Sequence, residues 1–391
     1  MVVLLGMAGF LYYAVVRAPR PRRAWAIVAA VAVTLVLFSA VSWLFVYRYL
    51  DNLDRWRWLT GSMAMLMPVV LYGGIGLGVV AVVNLVWWIV RDARGPRLAR
   101  AEVVRTPRLR FVRTATVGAV VAALAMTGYG YAEAHRPALS DVSVSSADLP
   151  AQFDGFRIAL LSDIHVGVGL GKSFVQGVVD QVNDAQVDLV VIAGDLSNGS
   201  PSQLGADLMP LTELRAGFGV LVTTGNHEYD TDAGAWIDWL NSHTLPVLDN
   251  SGVVLSRGTA SIDVLGVNDR SGRPPHQDDL LAAVSSLSQK YNVPMDGAGR
   301  FRLLIAHQPL QDAGRSTQAA ELGVDVQLSG HTHGGQLWPM PHFITMQQPV
   351  LDGTHVLNGV TVVTGRGAGA WGPPVRIGAP PEIPIITLHR A

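Results

Sequence analysis

The chain has 391 residues, of which 49% are apolar and 15% are charged. That balance is unusual for a single soluble globule and indicates that part of the chain lies in lipid. Residues 1–150 carry 16 basic and 7 acidic side chains, whereas residues 151–391 carry 13 and 23, so a basic front precedes an acidic back. The sequence contains no cysteine, which excludes disulfides and thiolate zinc sites; any metal must be held by His, Asp, Glu or Asn.

Four apolar stretches occupy the front of the chain: 1–16, 24–47, a run within 61–90, and 114–131. A membrane-spanning helix needs about 20 residues to cross a hydrocarbon core of roughly 30 Å, and the last three stretches are long enough. The first is marginal, and a cleaved signal peptide is disfavoured because the stretch lacks a basic start and a small-residue cleavage site. We therefore predict a multi-span α-helical membrane region over residues 1–132, with about four transmembrane helices.

The distribution of arginine predicts the orientation of these helices. Arginines crowd the loop after the first stretch and the loop over residues 91–113, whereas the loop near residues 51–58 is almost balanced. Short cytoplasmic loops collect Lys and Arg, so the helix from Thr114 should run outward and place everything after Tyr131 outside the cytoplasm. A re-entrant hairpin in the third stretch would invalidate this prediction. The position of the second Arg run between two spans disfavours a nucleic-acid patch.

The back of the chain predicts an α/β domain over residues 153–391, with a largely parallel or mixed sheet. Residues 133–152 are polar and Ser-rich, which is typical of a linker or an edge strand. Beyond them, apolar runs of strand length alternate with helical patterns. The predicted strands are 156–161, 187–193, 219–224, 301–306, 324–328 and 360–364, and the predicted helices are 173–183, 233–242 and 278–289.

Five short polar motifs follow predicted strands, and in α/β sheets ligands bind beyond the carboxyl ends of the strands. Residues two apart on an extended chain point the same way, so both side chains of an Asp-x-His motif can face one ion. Each motif alone is weak evidence, but five in order at strand ends indicate a metal site. The motifs are Asp163-Ile164-His165, Gly194-Asp195, Gly225-Asn226-His227-Glu228, His307, and Gly330-His331-Thr332-His333-Gly334-Gly335-Gln336.

This ordered set strongly resembles the calcineurin-like metallophosphoesterase superfamily over roughly residues 155–391. The long G-H-T-H-G-G-Q block and the W-G-P-P at 371–374 look more narrowly like a bacterial membrane-anchored branch, some members of which cleave the pyrophosphate bond of a lipid-precursor nucleotide. The resemblance implies a β-sandwich of mixed sheets flanked by helices. It also implies a bacterial cell membrane as the location, with the catalytic domain on the extracytoplasmic side that the arginine distribution predicts.

The resemblance further implies a ligand set for two divalent or trivalent metal ions, which could be Mn, Fe or Zn. One metal would be held by Asp163, His165, Asp195 and His333, and the other by Asp195, Asn226, His307 and His331. The catalytic residue would be His227, as a proton donor or charge stabiliser, with Glu228 as a candidate orienter. Arg366 is a candidate for binding substrate phosphate, although a solvated loop arginine is an equal interpretation. Trp371 is interpreted as a packing residue, with a role in shaping the pocket or in contacting the membrane interface as alternatives.

The predicted function is hydrolysis of a phosphodiester, pyrophosphate or phosphomonoester, on a substrate that could be lipid-linked, by a membrane-anchored enzyme with two metals. One alternative is a membrane receptor or scaffold with a non-catalytic domain. Another is a nuclease, disfavoured because a net charge of about −10 over residues 151–391 repels a polyanion. The segment 167–173 lacks the spacing of a nucleotide P-loop. The sequence leaves the substrate, the metals and the oligomeric state open.

Overall fold

The computed structural model describes residues 11–12, 14, 23–49, 53–92, 101–309, 316–346, 348 and 350–391. The chain divides into two compact units, with the boundary between Tyr131 and Ala132. The first predicted apolar stretch, residues 1–16, lies almost entirely outside the described residues, as do most of the arginines in the loop that follows it.

From residue 23 onward, the described part of the first unit contains three helices, α1 (Arg23–Tyr49), α2 (Leu53–Asp92) and α3 (Ala101–Ala134). Within α2 and α3, the stretches Trp56–Val90 and Pro107–Ala134 are long and apolar enough to cross a bilayer, whereas the apolar stretch of α1 is shorter, Ala29–Ser39. The third predicted stretch forms one continuous helix through Pro68, not a hairpin. At 1.5 Å per residue, its 40 residues measure about 60 Å.

Close contacts join α2 to α3 within this unit. The Nε of Arg108 donates a hydrogen bond to Oδ1 of Asn84 at 2.7 Å. At Gly76, an added Cβ would lie 3.0 Å from Cβ of Ala119, so the small residue lets the two helices approach closely. Small residues at the contact are typical of helices that pack in lipid.

The second unit is built from eleven strands and seven helices in the described part of the chain. The strands are β1 (Ala138–Ser146), β2 (Phe156–Leu161), β3 (Leu189–Ala193), β4 (Val220–Thr223), β5 (Ser251–Arg257), β6 (Ala260–Gly266), β7 (Arg302–Ile305), β8 (Val326–Ser329), β9 (Gly353–Leu357), β10 (Val360–Thr364) and β11 (Glu382–Arg390). The helices are α4 (Lys172–Asp184), α5 (Pro201–Leu208), α6 (Asn226–Thr231), α7 (Ala233–Ser242), α8 (Leu280–Tyr291), α9 (Ser316–Glu321) and α10 (Pro341–Ile344).

The strands form two mixed sheets. The first has the order β1-β11-β2-β3-β4, and the second has the order β5-β6-β7-β8-β10-β9. In the first sheet β2, β3 and β4 run parallel, with Ala159 opposite Val190 and Ile192 opposite Val222. In the second sheet β6, β7, β8 and β10 run parallel, while β5 and β9 are antiparallel edges. The expected α/β domain with mixed sheets is confirmed.

The hydrophobic core lies between the two sheets because alternate residues of each strand point to the same face. The first sheet contributes Phe156, Ile158 and Leu160 from β2, and the second contributes side chains such as Val264 and Leu303. The opposite face of the second sheet packs on α8 through a separate apolar cluster. This double layer fixes the strand ends from which the polar motifs project.

The predicted strands all exist, and those at 156–161 and 360–364 have the predicted bounds. By sequence, residues 133–152 are a linker or an edge strand. They contain the edge strand β1, which pairs in parallel with β11. The sequence prediction missed β5, β6, β9 and β11. Strand β6 escaped notice because it carries Asp263, which is fully buried and ion-paired with Arg300 and Arg302, and β11 because Pro384 interrupts its apolar run.

Candidate metal centre

All five polar motifs lie directly beyond the carboxyl ends of parallel strands. Three follow β2, β3 and β4 of the first sheet, and two follow β7 and β8 of the second. Backbone hydrogen bonds tie neighbouring loops together: the N–H of Asp163 donates to the carbonyl of Gly194, and that of Gly330 donates to the carbonyl of His307. Because the two sheets are packed face to face, their loops converge on one group of side chains.

The backbone at this group is left-handed at five non-glycine residues. Their φ angles are 55° at Asp163, 48° at His165, 53° at Asp195, 74° at His331 and 53° at His333. This region is uncommon for residues with a Cβ and concentrates at functional sites, where the surrounding structure holds the strain. The turns therefore direct side chains toward a common centre at a conformational cost that the fold offsets.

The first candidate ligand group contains Asp163, His165 and His333, all buried. The Nε2 atoms of the two histidines are 3.0 Å apart, and Nε2 of His333 is 3.4 Å from Oδ1 of Asp163. Oδ2 of Asp195 completes the set at 3.6 Å from Nε2 of His165. The sequence prediction assigned these four residues to one metal, and the structure brings them together.

The second candidate group contains Asp195, His307 and His331. Nε2 of His307 lies 3.2 Å from Oδ2 of Asp195, 3.2 Å from Oδ1 of Asn226 and 3.3 Å from Nδ1 of His331. These are the four residues that the sequence prediction assigned to the other metal.

Asp195 occupies the position between the two groups, and its two oxygens have different surroundings. Oδ1 accepts a hydrogen bond from the backbone N–H of His227 at 2.8 Å. Oδ2 faces Nε2 of His165 on one side and Nε2 of His307 on the other. The hydrogen bond fixes the carboxylate so that one oxygen is directed at both groups.

Two hydrogen bonds set which histidine nitrogens can bind a cation. Nδ1 of His165 contacts Oδ1 of Asn198 at 2.8 Å, and Nδ1 of His307 contacts the carbonyl of Ala193 at 2.7 Å. Both partners are oxygens that only accept, so Nδ1 carries a proton in each ring, and in the neutral imidazole the Nε2 lone pair faces the centre. Neutral imidazoles and carboxylates that converge in this way fit the donor set of a two-metal site.

Burial keeps three of these histidines in the neutral form that binds metals. Burial and the charge of His227 lower the pKa of His165 to about 3, and burial and His307 lower the pKa of His331 to about 3. Burial and the guanidinium of Arg376 hold the pKa of His333 well below its usual range.

His307 behaves in the opposite way because it forms an ion pair with Asp195. Burial alone would lower the pKa of His307, but the charge and the hydrogen bond of Asp195 raise it well above the usual value. Burial alone would raise the pKa of Asp195, but His307 and the nearby histidines hold it well below the usual value. Burial raises the pKa of Asp163. The centre thus concentrates shifted groups, as functional sites do.

His227 lies beside this centre, partly exposed. Its ring stands edge-on to that of His165, with centroids 4.6 Å apart, and geometry alone also allows it to join Asp195 and His165 as a third candidate ligand group. Its exposure distinguishes it from the buried His165 and His307 and is what access to a substrate requires. Its assignment as the catalytic residue stays a prediction.

Glu228, the residue after His227, is held by backbone groups. Its carboxylate accepts hydrogen bonds from the backbone N–H groups of Asp195, Leu196 and Gly225, at 3.0, 2.9 and 2.7 Å. Burial and the charge of Asp195 raise the pKa of Glu228 to about 8. Glu228 is buried, whereas its neighbour His227 is partly exposed. Glu228 therefore fastens the β3 and β4 loops together, and its candidate role in orienting His227 stays a prediction.

Arg366 lies next to the first group, because an added Cβ at Gly334 would meet its side chain at 2.8 Å. Its Nη2 donates to Oε2 of Glu382 at 2.6 Å, and its Nη1 lies 3.6 Å from Oδ2 of Asp352. Neither sequence interpretation anticipated these carboxylate partners. Trp371, interpreted from the sequence as a packing residue, is 48% exposed, so packing covers only about half of its surface.

Sequence reasoning missed Arg376, which is fully buried. Its Nη1 donates to the carbonyl of His333 at 2.7 Å, its Nε donates to that of Gly369 at 2.9 Å, and its Nη2 lies 3.1 Å from Nδ1 of the His333 ring. Burial lowers its pKa to about 9, which leaves it charged at neutral pH. A lone arginine in a Pro-Val-Arg-Ile context offers no signal of this role.

The fold and the centre together define a class of protein, the metal-dependent hydrolases built on an α/β domain with two mixed sheets. The family model of the calcineurin-like phosphoesterases matches residues 156–335. An uncharacterized metallophosphoesterase of Helicobacter pylori is 33% identical over 270 residues, 68% of this chain and 68% of that protein. The chain therefore belongs to the calcineurin-like metallophosphoesterase family, and it is a metal-dependent phosphoric ester hydrolase.

Two further relatives extend this result. A transmembrane protein with metallophosphoesterase domain from Danio rerio is 28% identical over 381 residues, which cover 95% of this chain and 82% of that protein. An uncharacterized metallophosphoesterase of Bacillus subtilis is 31% identical over 282 residues, 67% of this chain and 90% of that protein. Since the relatives come from both bacteria and animals, the comparison establishes the family and not a bacterial branch of it.

Proposed function

We propose that this chain is a membrane-anchored phosphoesterase that uses two metal ions to hydrolyse a phosphodiester, a pyrophosphate or a phosphomonoester outside the cytoplasm. The observation that carries the proposal is the position of Asp195 Oδ2, which faces Nε2 of His165 at 3.6 Å and Nε2 of His307 at 3.2 Å. One carboxylate oxygen shared by two convergent ligand groups is the arrangement that a pair of adjacent cations requires.

The proposed roles are those of metal ligands, a proton donor and residues that position the loops. Asp163, His165, Asp195 and His333 would hold one cation, and Asp195, Asn226, His307 and His331 would hold the other. Bound there, two divalent or trivalent ions, Mn, Fe or Zn, would activate a water molecule and stabilise the phosphoryl oxygens. The partly exposed His227 lies where it can give a proton to the leaving oxygen or stabilise its charge. Glu228 and Arg376 keep the loops in place.

The apolar helices support the membrane anchor. Side chains such as Leu35, Phe38 and Val86 are more than half exposed within the first unit, which suits lipid as their solvent. The Arg-rich stretch ahead of Thr114 favours an inside position for the start of α3, and the hydrolase domain follows the end of that helix. We place the protein in a cell membrane, bacterial by its resemblance, with the domain outside.

The experiment for the reaction uses the full chain in detergent, with bis-nitrophenyl phosphate and added Mn²⁺. We expect turnover that chelation removes, and Asp195→Ala should lose both the bound metal and the activity. Full activity in that variant would contradict the shared-ligand assignment. An absence of turnover with Mn, Fe and Zn alike would favour a scaffold whose domain only binds.

The orientation has its own test. A reporter enzyme active only outside the cytoplasm, fused after Ala151 in place of the hydrolase domain, should be active, because α3 would carry it across the membrane. A reporter active only in the cytoplasm serves as the matched control and should be silent there. The opposite pattern would contradict the proposed orientation and leave the chemistry untouched.

A further inference from the structure

The segment that follows the G-H-T-H-G-G-Q motif exposes an unusual number of apolar side chains. Within nine residues, Trp338, Met340, Phe343 and Met346 are 50%, 40%, 57% and 81% exposed. Isolated exposed apolar residues are normal, but a local concentration of them marks an interaction surface. We call these four residues, together with the exposed Trp371, the apolar rim.

The apolar rim is fastened to the metal centre. The side chain of Gln336 joins its two parts, since Nε2 donates to the carbonyl of Trp371 at 2.7 Å and Oε1 accepts from the N–H of Trp371 at 2.8 Å. The N–H of Trp338 donates to the carbonyl of Ile377 at 2.9 Å. An added Cβ at Gly335 would lie 2.5 Å from Pro341. The rim therefore begins five residues after the ligand His333 and is held close to it.

Arg366, the charged residue next to the first ligand group, already has carboxylate partners. The guanidinium of Arg366 is bonded to Glu382 and lies beside Asp352, so two carboxylates surround it. A polar organic group, such as a sugar, would need hydrogen-bonding partners here. The aromatic rings and flexible thioethers of the rim instead suit a hydrocarbon chain, because methionine adapts to irregular apolar shapes.

We propose that the apolar rim binds the hydrocarbon chain of a lipid phosphate ester whose phosphate lies at the metal centre. This inference rests on the proposed function, which it deepens by naming the substrate class. A phosphate held by the ligand groups would carry its ester chain onto the adjoining surface, and the rim segment follows His333 in the chain and lies against Gly335 at Pro341. The rim thus selects for an alkyl chain, whereas the metal ligands act on any phosphate ester.

The test compares two substrates with one leaving group, nitrophenyl methyl phosphate and nitrophenyl dodecyl phosphate, on the full chain in lipid nanodiscs with Mn²⁺. The wild type should have a kcat/KM for the dodecyl ester at least about tenfold above that for the methyl ester. The double variant Phe343→Ser, Met346→Ser should lose most of this preference, with kcat/KM for the methyl ester unchanged.

Leu281→Ser provides the matched control, because Leu281 is 49% exposed but lies on α8, which packs against the outer face of the second sheet. It should keep the dodecyl preference. Partition of the dodecyl ester into the nanodisc is common to all variants and cancels in their comparison.

The outcomes separate the two proposals. If the wild type turns over neither ester, the proposed function fails. If it turns over both with equal kcat/KM, or if the rim variant keeps the dodecyl preference, the rim proposal alone is overturned. An unchanged preference in a rim variant that also changes its oligomeric mass would show that the rim is a contact between copies of the chain, and this too overturns the proposal.

Discussion

Replacing Arg376 by methionine tests whether this buried guanidinium positions the first ligand group. Methionine fills similar space but removes the donors that serve the carbonyls of His333 and Gly369 at 2.7 and 2.9 Å, and that of Arg366 at 2.7 Å. A buried polar group left without a partner costs about 1–3 kcal/mol. Three such groups should lower the free energy of unfolding by at least about 3 kcal/mol, a large part of the usual 5–15 kcal/mol.

The effect on metal binding follows from a further contact between Arg376 and the ring of His333, in which Nη2 lies 3.1 Å from Nδ1. The same side chain holds the backbone and the ring of one ligand, so its loss should loosen that ligand. Removal of a residue that orients a ligand typically weakens metal affinity by about 10–100-fold. We expect a loss of this size in Mn²⁺ titrations of Arg376→Met by calorimetry, and a smaller loss for Arg376→Lys, which keeps the charge and three donors.

Arg302 offers a matched control for this prediction. It is also fully buried, and its Nη1 donates to the carbonyl of Met295 at 2.8 Å while its Nε contacts Oδ2 of Asp263 at 3.1 Å. Arg302→Met should destabilise the protein by a similar amount in chemical denaturation and leave the Mn²⁺ affinity unchanged. If both variants weaken metal binding equally, or if Arg376→Met binds Mn²⁺ like the wild type, the positioning role is refuted.

Three further predictions concern the same centre. Gly225→Ala should abolish metal binding, because the added Cβ would lie 2.2 Å from Oδ1 of Asp195; Gly177→Ala, which meets nothing within 4 Å, should bind normally, and equal calorimetric titrations would contradict the steric argument. His227→Ala should keep both metals in elemental analysis but lose about 10²–10⁴-fold in kcat; a loss of metal would instead make it a ligand. In the metal-free protein, the histidines whose pKa values are lowered below 6.5 take up protons only on unfolding, so their contribution to stability should fall as the pH drops from about 6.5 toward 3, while Glu228 and His307, whose pKa values are raised, act in the opposite direction. Each lowered histidine should contribute up to about 1.4 kcal/mol per pH unit; denaturation with chelator at pH 6.5 and 5.5 compares the wild type with His331→Asn, in which stability should fall less with decreasing pH by up to this amount, and equal pH dependence in the two proteins would refute the prediction.

Local patterns in the sequence determined the class of the domain and the position of its motifs. Buried strands such as β2 and β10 can be recognised in the sequence as short apolar runs because both faces of each strand are covered. Asp163, Asp195 and His307 could be singled out because each comes directly after such a run, where a parallel sheet presents its ligands. Long apolar stretches likewise predicted helices of membrane-spanning length.

Tertiary structure decided what depends on contacts between distant segments. Strand β6 was hidden because its buried Asp263 is neutralised by Arg300 and Arg302, nearly forty residues away. The roles of Glu228 and Arg376 could not be predicted because most of their partners are backbone groups. Every residue has the same backbone groups, so the sequence does not indicate which of them a side chain will meet.

The same reason explains why the sequence could propose the ligands but not their arrangement. The left-handed backbone at Asp163 and His331 appears only once the loops of both sheets are packed together, because the surrounding contacts hold a conformation that these residues would not adopt alone. The direction of Asp195 Oδ2 toward both ligand groups is fixed by the N–H of His227 on the next loop. The sequence therefore determined which side chains meet at the strand ends, and the packing of two sheets determined how they face one another.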